Sequence, residues 1–196
     1  MPKSNGNTAA GGKKNNNIFI QILLKIIPNW VTPNLLSILR LAMIPAIAVC
    51  LTLGYYAATL VLFISAALLD TLDGTLARAR NQISDWGLIL DPLADKLLII
   101  ALVSFLLLIY PFKLLIIYVL VFDLFIILIS VLQIGQPGIK IKPANIWGKS
   151  KMLAQVIGLS LALLWLAYPA IPLLYASALI IWLSLALQIK SAVSYL

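Results

Sequence analysis

From residue 34 onward the chain alternates long apolar runs with short polar breaks. Six runs, at 34–53, 56–76, 88–109, 112–132, 150–167 and 170–189, each approach the roughly 20 residues that a helix needs to cross a bilayer. They predict six transmembrane helices. Gly54-Tyr55, Tyr110-Pro111, the stretch 133–149 and the Pro169/Pro172 pair supply the breaks. Pro45 falls inside the first run and predicts a kink there. Ahead of the runs, residues 1–17 are rich in Asn, Gly and Lys and read as a disordered cytoplasmic tail. Residues 18–28 are apolar with one lysine and predict a short interfacial helix. The expected fold is all-α: a polytopic six-helix transmembrane bundle with a short N-terminal interfacial helix.

Composition agrees with this pattern. Of 196 residues, 63% are hydrophobic, well above the half expected of a soluble domain, and only 10% are charged. The net charge of +8 would suggest nucleic acid in a soluble protein. Here the basic residues fall between apolar runs, and no aromatic-basic groove or nucleic-acid module accompanies them. They serve orientation against anionic lipid instead. With the N-terminus inside, one side of the membrane receives Lys3, Lys13, Lys14, Lys25, Arg78, Arg80, Lys140, Lys142, Lys149, Lys151 and Lys190, and the other receives Lys113 alone. That bias predicts that both termini are cytoplasmic, together with the loops at 78–86 and 133–149. The single Cys50 excludes an internal disulfide. The absence of His removes the commonest zinc ligand and the commonest general base.

The acidic residues are distributed very unevenly. Five of the six lie within 68–98, across the break between the second and third runs. Asp70 and Asp73 are three apart and Asp91 and Asp95 four apart, so each pair shares one helix face. Antiparallel neighbours joined by a short loop would bring the two pairs together. Four carboxylates at membrane depth repel unless cations stand between them. An oxygen-ligand site for magnesium or manganese, with two ions sharing the acids, resolves that conflict. The plainer alternative is that the acids cap helices or pair with Arg78, Arg80 and Lys96. Gly74 and Gly87 suit either close approach of a ligand or ordinary helix packing. Arg78 offers a bidentate fork for phosphate, and Arg80 suits a lipid headgroup. Ser84 suits a helix cap or a ligand contact.

This segment resembles the CDP-alcohol phosphatidyltransferase family. The family signature D-x2-D-G-x2-A-R-x8-G-x3-D-x3-D is complete here as Asp70, Asp73, Gly74, Ala77, Arg78, Gly87, Asp91 and Asp95. The resemblance implies that 18–196 is the membrane domain of such an enzyme, typically a homodimer in a prokaryotic inner or cell membrane. It implies that Asp70, Asp73 and Asp91 hold two Mg2+ or Mn2+ ions, with Asp95 nearby as a further ligand. The donor, CDP-diacylglycerol, would meet Asp73, Gly74, Ala77 and Arg78, with Ser84 and Gly87 beside it. Asp95 would act as general base on the acceptor alcohol, and CMP would leave.

The acceptor is addressed by weaker features. "VTPNLLSILRLAMIP", residues 31–45, resembles the opening helix of the phosphatidylglycerophosphate synthase branch through Pro33, Asn34 and Arg40. Asn34 would then bond nucleotide or diphosphate, and Arg40 would attract the acceptor's phosphate. A helix start and an orientation anchor are the plainer readings of these residues. "GKSKMLAQ", residues 148–155, is also similar to that branch, with Met152 at its usual Thr position. Lys149 and Lys151, with Lys142 behind them, are candidates for an anionic acceptor or simply for a lipid surface. In the fourth run, Phe122-Asp123 stands where the branch often carries Arg followed by an acid, which leaves Asp123 needing a partner. The expected reaction transfers a phosphatidyl group to glycerol 3-phosphate. The alternatives are phosphatidylglycerol as acceptor, giving cardiolipin, or another alcohol. A cation transporter and an inactive scaffold are the competing non-enzyme classes.

Overall fold

The computed structural model describes residues 27–28, 31–80, 85–133 and 146–193, and these form six α-helices without β-structure. They are α1 (Pro33–Thr52), α2 (Tyr56–Arg80), α3 (Asp85–Ile109), α4 (Lys113–Gln133), α5 (Ile146–Ala167) and α6 (Ile171–Val193). The predicted tail at 1–17 lies outside the described residues, as does most of the interfacial helix expected over 18–28.

Local chemistry sets the helix ends. Thr32 is the N-cap of α1, its side chain accepting the Leu35 amide at 3.3 Å, and Pro33 opens the first turn. Gly54 ends that helix with a positive φ of 77°, and the Tyr55 amide returns to the Cys50 carbonyl at 2.8 Å. Pro45 is accommodated within α1. Between α3 and α4, the Phe112 carbonyl accepts the amides of Leu115 and Ile116 and starts the new helix.

Two helices run past their apolar stretches. α2 continues to Arg80, beyond the expected end at 76, and α3 begins at Asp85, ahead of the expected 88. A helix needs no apolar side chains where its surface is wet, so the acidic segment extends both spans. α5 likewise begins at Ile146 and not at 150, which brings Lys149 and Lys151 into its first two turns. Asn34–Thr52, Tyr56–Leu76, Ile146–Ala167 and Ile171–Ser191 are long and apolar enough to cross a membrane. α3 and α4, with 25 and 21 residues, have the length of spans.

The core runs along the bundle axis. It gathers Ile47 and Leu51 from α1, Phe63 from α2, Leu102 and Leu106 from α3, Ile116 from α4, Leu163 from α5 and Ile181 from α6. α5 and α6 form the most extensive pair. Gly158 makes their approach close: a Cβ there would stand 2.7 Å from Ile181 Cγ1 and 3.1 Å from the Ile181 backbone nitrogen. Elsewhere large apolar side chains such as Leu108, Leu114, Leu128 and Leu179 face outward, as lipid contact requires.

The arrangement departs from the expectation that the second and third helices pack directly on one another. Among the described residues α2 and α3 touch little, whereas α1 packs along both. α1 therefore lies beside both acid-bearing helices. The bundle has chemically distinct ends. At one, the buried Tyr110 hydroxyl meets Ser177 Oγ at 2.5 Å, and its ring stacks edge-on to Trp165 and Phe112. At the other, Lys190 Nζ lies 3.6 Å above the Trp147 ring and joins the end of α6 to the start of α5. The carboxylates gather toward this second, polar end.

Candidate active site

Arg40 organises the first part of the site. It lies two turns into α1, and its side chain is wholly buried. Nη2 donates to Asp73 Oδ2 at 2.5 Å, while Nη1 lies 3.0 Å from Asp70 Oδ1 in an ionic contact without hydrogen-bond alignment. The three-residue spacing on α2 lets both acids meet one guanidinium. Ser37, one turn before Arg40, stands 3.4 Å from the same Asp73 oxygen. Asn34 is half-buried one turn earlier still.

Asp95 belongs to α3 and lies within electrostatic reach of Asp70, Arg40, Lys96 and Lys151. Gly74, Ala77 and Arg78 fall on the last turns of α2, and Gly87 and Asp91 on the first turns of α3. Ser84 and Lys142 lie outside the described residues. Among the described residues no three His, Cys, Asp or Glu side chains converge as a metal cage. The acids that do converge, Asp70 and Asp73, already share one cation, the guanidinium of Arg40. Each of these acids has a second carboxylate oxygen, and carboxylate oxygen is the ligand type that a hard divalent ion takes.

A second polar cluster links α4 and α5 through side chains. Asp123 is buried, and its two oxygens are divided between Lys151 Nζ at 2.7 Å and Gln155 Nε2 at 2.5 Å. Lys151 and Gln155 are one turn apart on the same face of α5. The acid whose partner could not be read from the sequence thus has two. Lys151 also lies within reach of Lys96 and Asp95, so this cluster adjoins the first. Lys149 is exposed at the start of α5.

Three contacts are not evident from the sequence. Arg80, expected to face lipid headgroups, instead donates to the carbonyls of Val31 at 2.6 Å, Ile27 at 2.9 Å and Pro28 at 3.2 Å. It ties the entry of α1 to the end of α2, because backbone carbonyls ahead of a helix need donors. Ser37 belongs to no motif. Gln155 closes the stretch "GKSKMLAQ", and the signal for its role is an amide one turn from a lysine that faces a buried acid.

These features define a polytopic membrane protein that gathers acids and buried basic groups at one end of a helical bundle. Over residues 30–190 the chain matches the CDP-alcohol phosphatidyltransferases, and it belongs to that family, close to its phosphatidylglycerophosphate and cardiolipin synthase branch. It is similar to the CDP-diacylglycerol–glycerol-3-phosphate 3-phosphatidyltransferase of Cereibacter sphaeroides, with 42% identity over 78 residues, 37% of this chain and 34% of that protein. Its counterpart of the same name in Aquifex aeolicus is 50% identical over 64 residues, 33% of this chain and 36% of that protein. The CMP-forming cardiolipin synthase of Rattus norvegicus is 44% identical over 71 residues, 36% of this chain and 24% of that protein. The matches thus span about a third or less of each relative's length. The fold recurs in the apo crystal structure of Mycobacterium tuberculosis phosphatidylinositol phosphate synthase. The TM-score is 0.60 at 20% identity, over 90% of this chain and 91% of that one.

Proposed function

We propose that the chain transfers a phosphatidyl group from CDP-diacylglycerol to glycerol 3-phosphate, forming phosphatidylglycerophosphate and CMP. The observation that carries this reading is the convergence of Asp70 and Asp73 on one buried cation, with Asp95 in reach of both that cluster and Lys151. Asp70, Asp73 and Asp91 would hold Mg2+ or Mn2+, with Asp95 beside them. Such ions, when bound, supply charge stabilisation for the diphosphate and for the leaving CMP. Asn34, Gly74, Ala77, Arg78, Ser84 and Gly87 are assigned to the CDP-linked donor. Arg40, expected from the sequence to attract the acceptor's phosphate, is instead buried against Asp70 and Asp73, and we assign it to holding those acids in register beside the donor.

The chemistry follows from the residues available. Asp95 accepts the proton of the acceptor hydroxyl, and with no His in the chain a carboxylate takes that role. The freed oxygen attacks the phosphorus on the lipid side of the diphosphate. A new phosphate ester forms, the bond to the bridging oxygen breaks, and CMP carries away the electron pair. Lys151, with Lys149 exposed at the start of α5 and Lys142 as a further sequence candidate, meets the anionic group of the acceptor. The asymmetry of basic residues supports cytoplasmic termini and a cytoplasmic site, while a prokaryotic membrane and a homodimer are what the family resemblance implies.

Phosphatidylglycerol is the second acceptor to consider, because the chain resembles cardiolipin synthases as closely as glycerol-phosphate transferases. Purified protein in lipid nanodiscs, given CDP-diacylglycerol and each acceptor in turn, separates the two. Glycerol 3-phosphate should yield CMP and phosphatidylglycerophosphate. Cardiolipin formed from phosphatidylglycerol alone would move the assignment to the second acceptor. Ion flux without CMP would move it to a transporter.

A further inference from the structure

The contacts of Asp123 lead beyond the choice of acceptor to how it is read. Asp123 and Gln155 are each 1% exposed, and Lys151 is mostly buried beside them. A carboxylate only accepts hydrogen bonds, so the Gln155 amide must turn its nitrogen toward Asp123. That fixes the opposite atom. Gln155 Oε1 is held on the same planar group, buried, and has no hydrogen-bond partner among the described residues. A buried acceptor left this way is costly unless a donor reaches it.

Lys151 has the complementary property. Its ammonium carries three donors, and one of them meets Asp123 at 2.7 Å. Lys96 lies within electrostatic reach of Asp123, Lys151 and Asp95, so two ammonium groups and two carboxylates share this region. The other two donors of Lys151 suit the oxygens of an anion. A fixed hydrogen-bond acceptor one turn from Lys151 favours a hydroxyl next to that anion.

We propose that Asp123 is a positioning residue that locks Lys151 and Gln155 into one unit, with Lys151 holding the phosphate of the acceptor and Gln155 Oε1 taking a non-reacting hydroxyl of its glycerol. The proposal rests on the phosphatidyl-transfer reading and adds the specificity element to it. The shared chemistry is a glycerol esterified to phosphate. It occurs both in free glycerol 3-phosphate and in the headgroup of phosphatidylglycerol.

The test is steady-state kinetics of the full chain in nanodiscs with three acceptors: glycerol 3-phosphate, 3-hydroxypropyl phosphate, which lacks the middle hydroxyl, and phosphatidylglycerol. The first and third distinguish the free from the lipid-borne source. With whichever source is used, Asp123→Asn should raise the acceptor KM roughly 10- to 100-fold, as loss of a charged hydrogen bond implies, with the KM for CDP-diacylglycerol nearly unchanged. Asp123→Glu should recover part of that loss. Gln155→Met leaves the ion pair intact. It should reduce the preference for glycerol 3-phosphate over 3-hydroxypropyl phosphate from about tenfold or more to near unity. That arm decides the matter if Asp123→Asn does not fold. Active enzyme whose variants alter only kcat or donor KM, or whose Gln155→Met keeps full discrimination, overturns the proposal alone. Wild-type protein that forms no CMP with any acceptor overturns the phosphatidyl-transfer reading beneath it.

Discussion

Arg40 Nη2 meets Asp73 Oδ2 at 2.5 Å inside the bundle, with both side chains almost wholly removed from solvent. The contact joins α1 to α2 at the point where Asp70 also approaches the guanidinium. A purely structural salt bridge needs one acid, whereas this arginine serves two that the family signature places three residues apart.

Removing that cation should destabilise the fold. Arg40→Leu leaves two acids without their counter-charge, and breaking a buried pair from one side costs about 3–5 kcal/mol. Thermal unfolding in detergent should therefore shift clearly downward. Arg40→Lys should fall between, because it keeps the charge and loses the fork. Equal melting temperatures for all three proteins would mean that the ion pair contributes nothing.

The acids themselves predict metal behaviour. Asp70→Asn and Asp91→Asn each remove one anionic oxygen donor from the proposed site. Activation by Mg2+ and direct Mn2+ binding, followed by electron paramagnetic resonance, should both move to higher concentration by about tenfold or more. Unaltered titrations in both assays would exclude these residues as ligands.

Asp95 is assigned different work. Asp95→Asn should lower CMP release by roughly 10²–10⁴-fold, the range for loss of a general base. Binding of CDP-diacylglycerol should be largely retained. A variant that turns over normally would remove Asp95 from proton transfer, and one that no longer binds donor would recast it as a ligand.

Much of this architecture is legible in the amino-acid sequence alone. The six helices follow from apolar runs whose length matches a bilayer, and the signature places the acids at the ends of α2 and α3. What periodicity does not convey is which helices touch. The short break between α2 and α3 implies direct packing, yet α1 lies along both, and so Arg40 reaches acids 30 and 33 positions further along the chain. Partners so distant in sequence have no local signature. Asp123 illustrates the same point. The need of a buried acid for a partner can be read from the chain, but the choice of Lys151 and Gln155 depends on how α4 and α5 are rotated about their axes.

Two glycines should respond to alanine for opposite reasons. At Gly158 the backbone is helical and the obstacle is space: the new Cβ would lie 2.7 Å from Ile181 Cγ1 and 3.1 Å from the Ile181 nitrogen. The side chain of Ile181 can adjust, but its backbone moves only if α6 does, so overpacking should cost about 1–3 kcal/mol. At Gly54 nothing lies within 4 Å of an added Cβ, and the obstacle is the φ of 77°. Alanine there should cost about 1–2 kcal/mol through backbone conformation alone. Asparagine, which tolerates left-handed geometry, should recover part of that loss at 54 and none at 158. Unfolding measurements on the four variants separate the mechanisms. Asparagine matching or surpassing alanine at 158 would show that the α5–α6 contact is looser than the close approach of these helices implies.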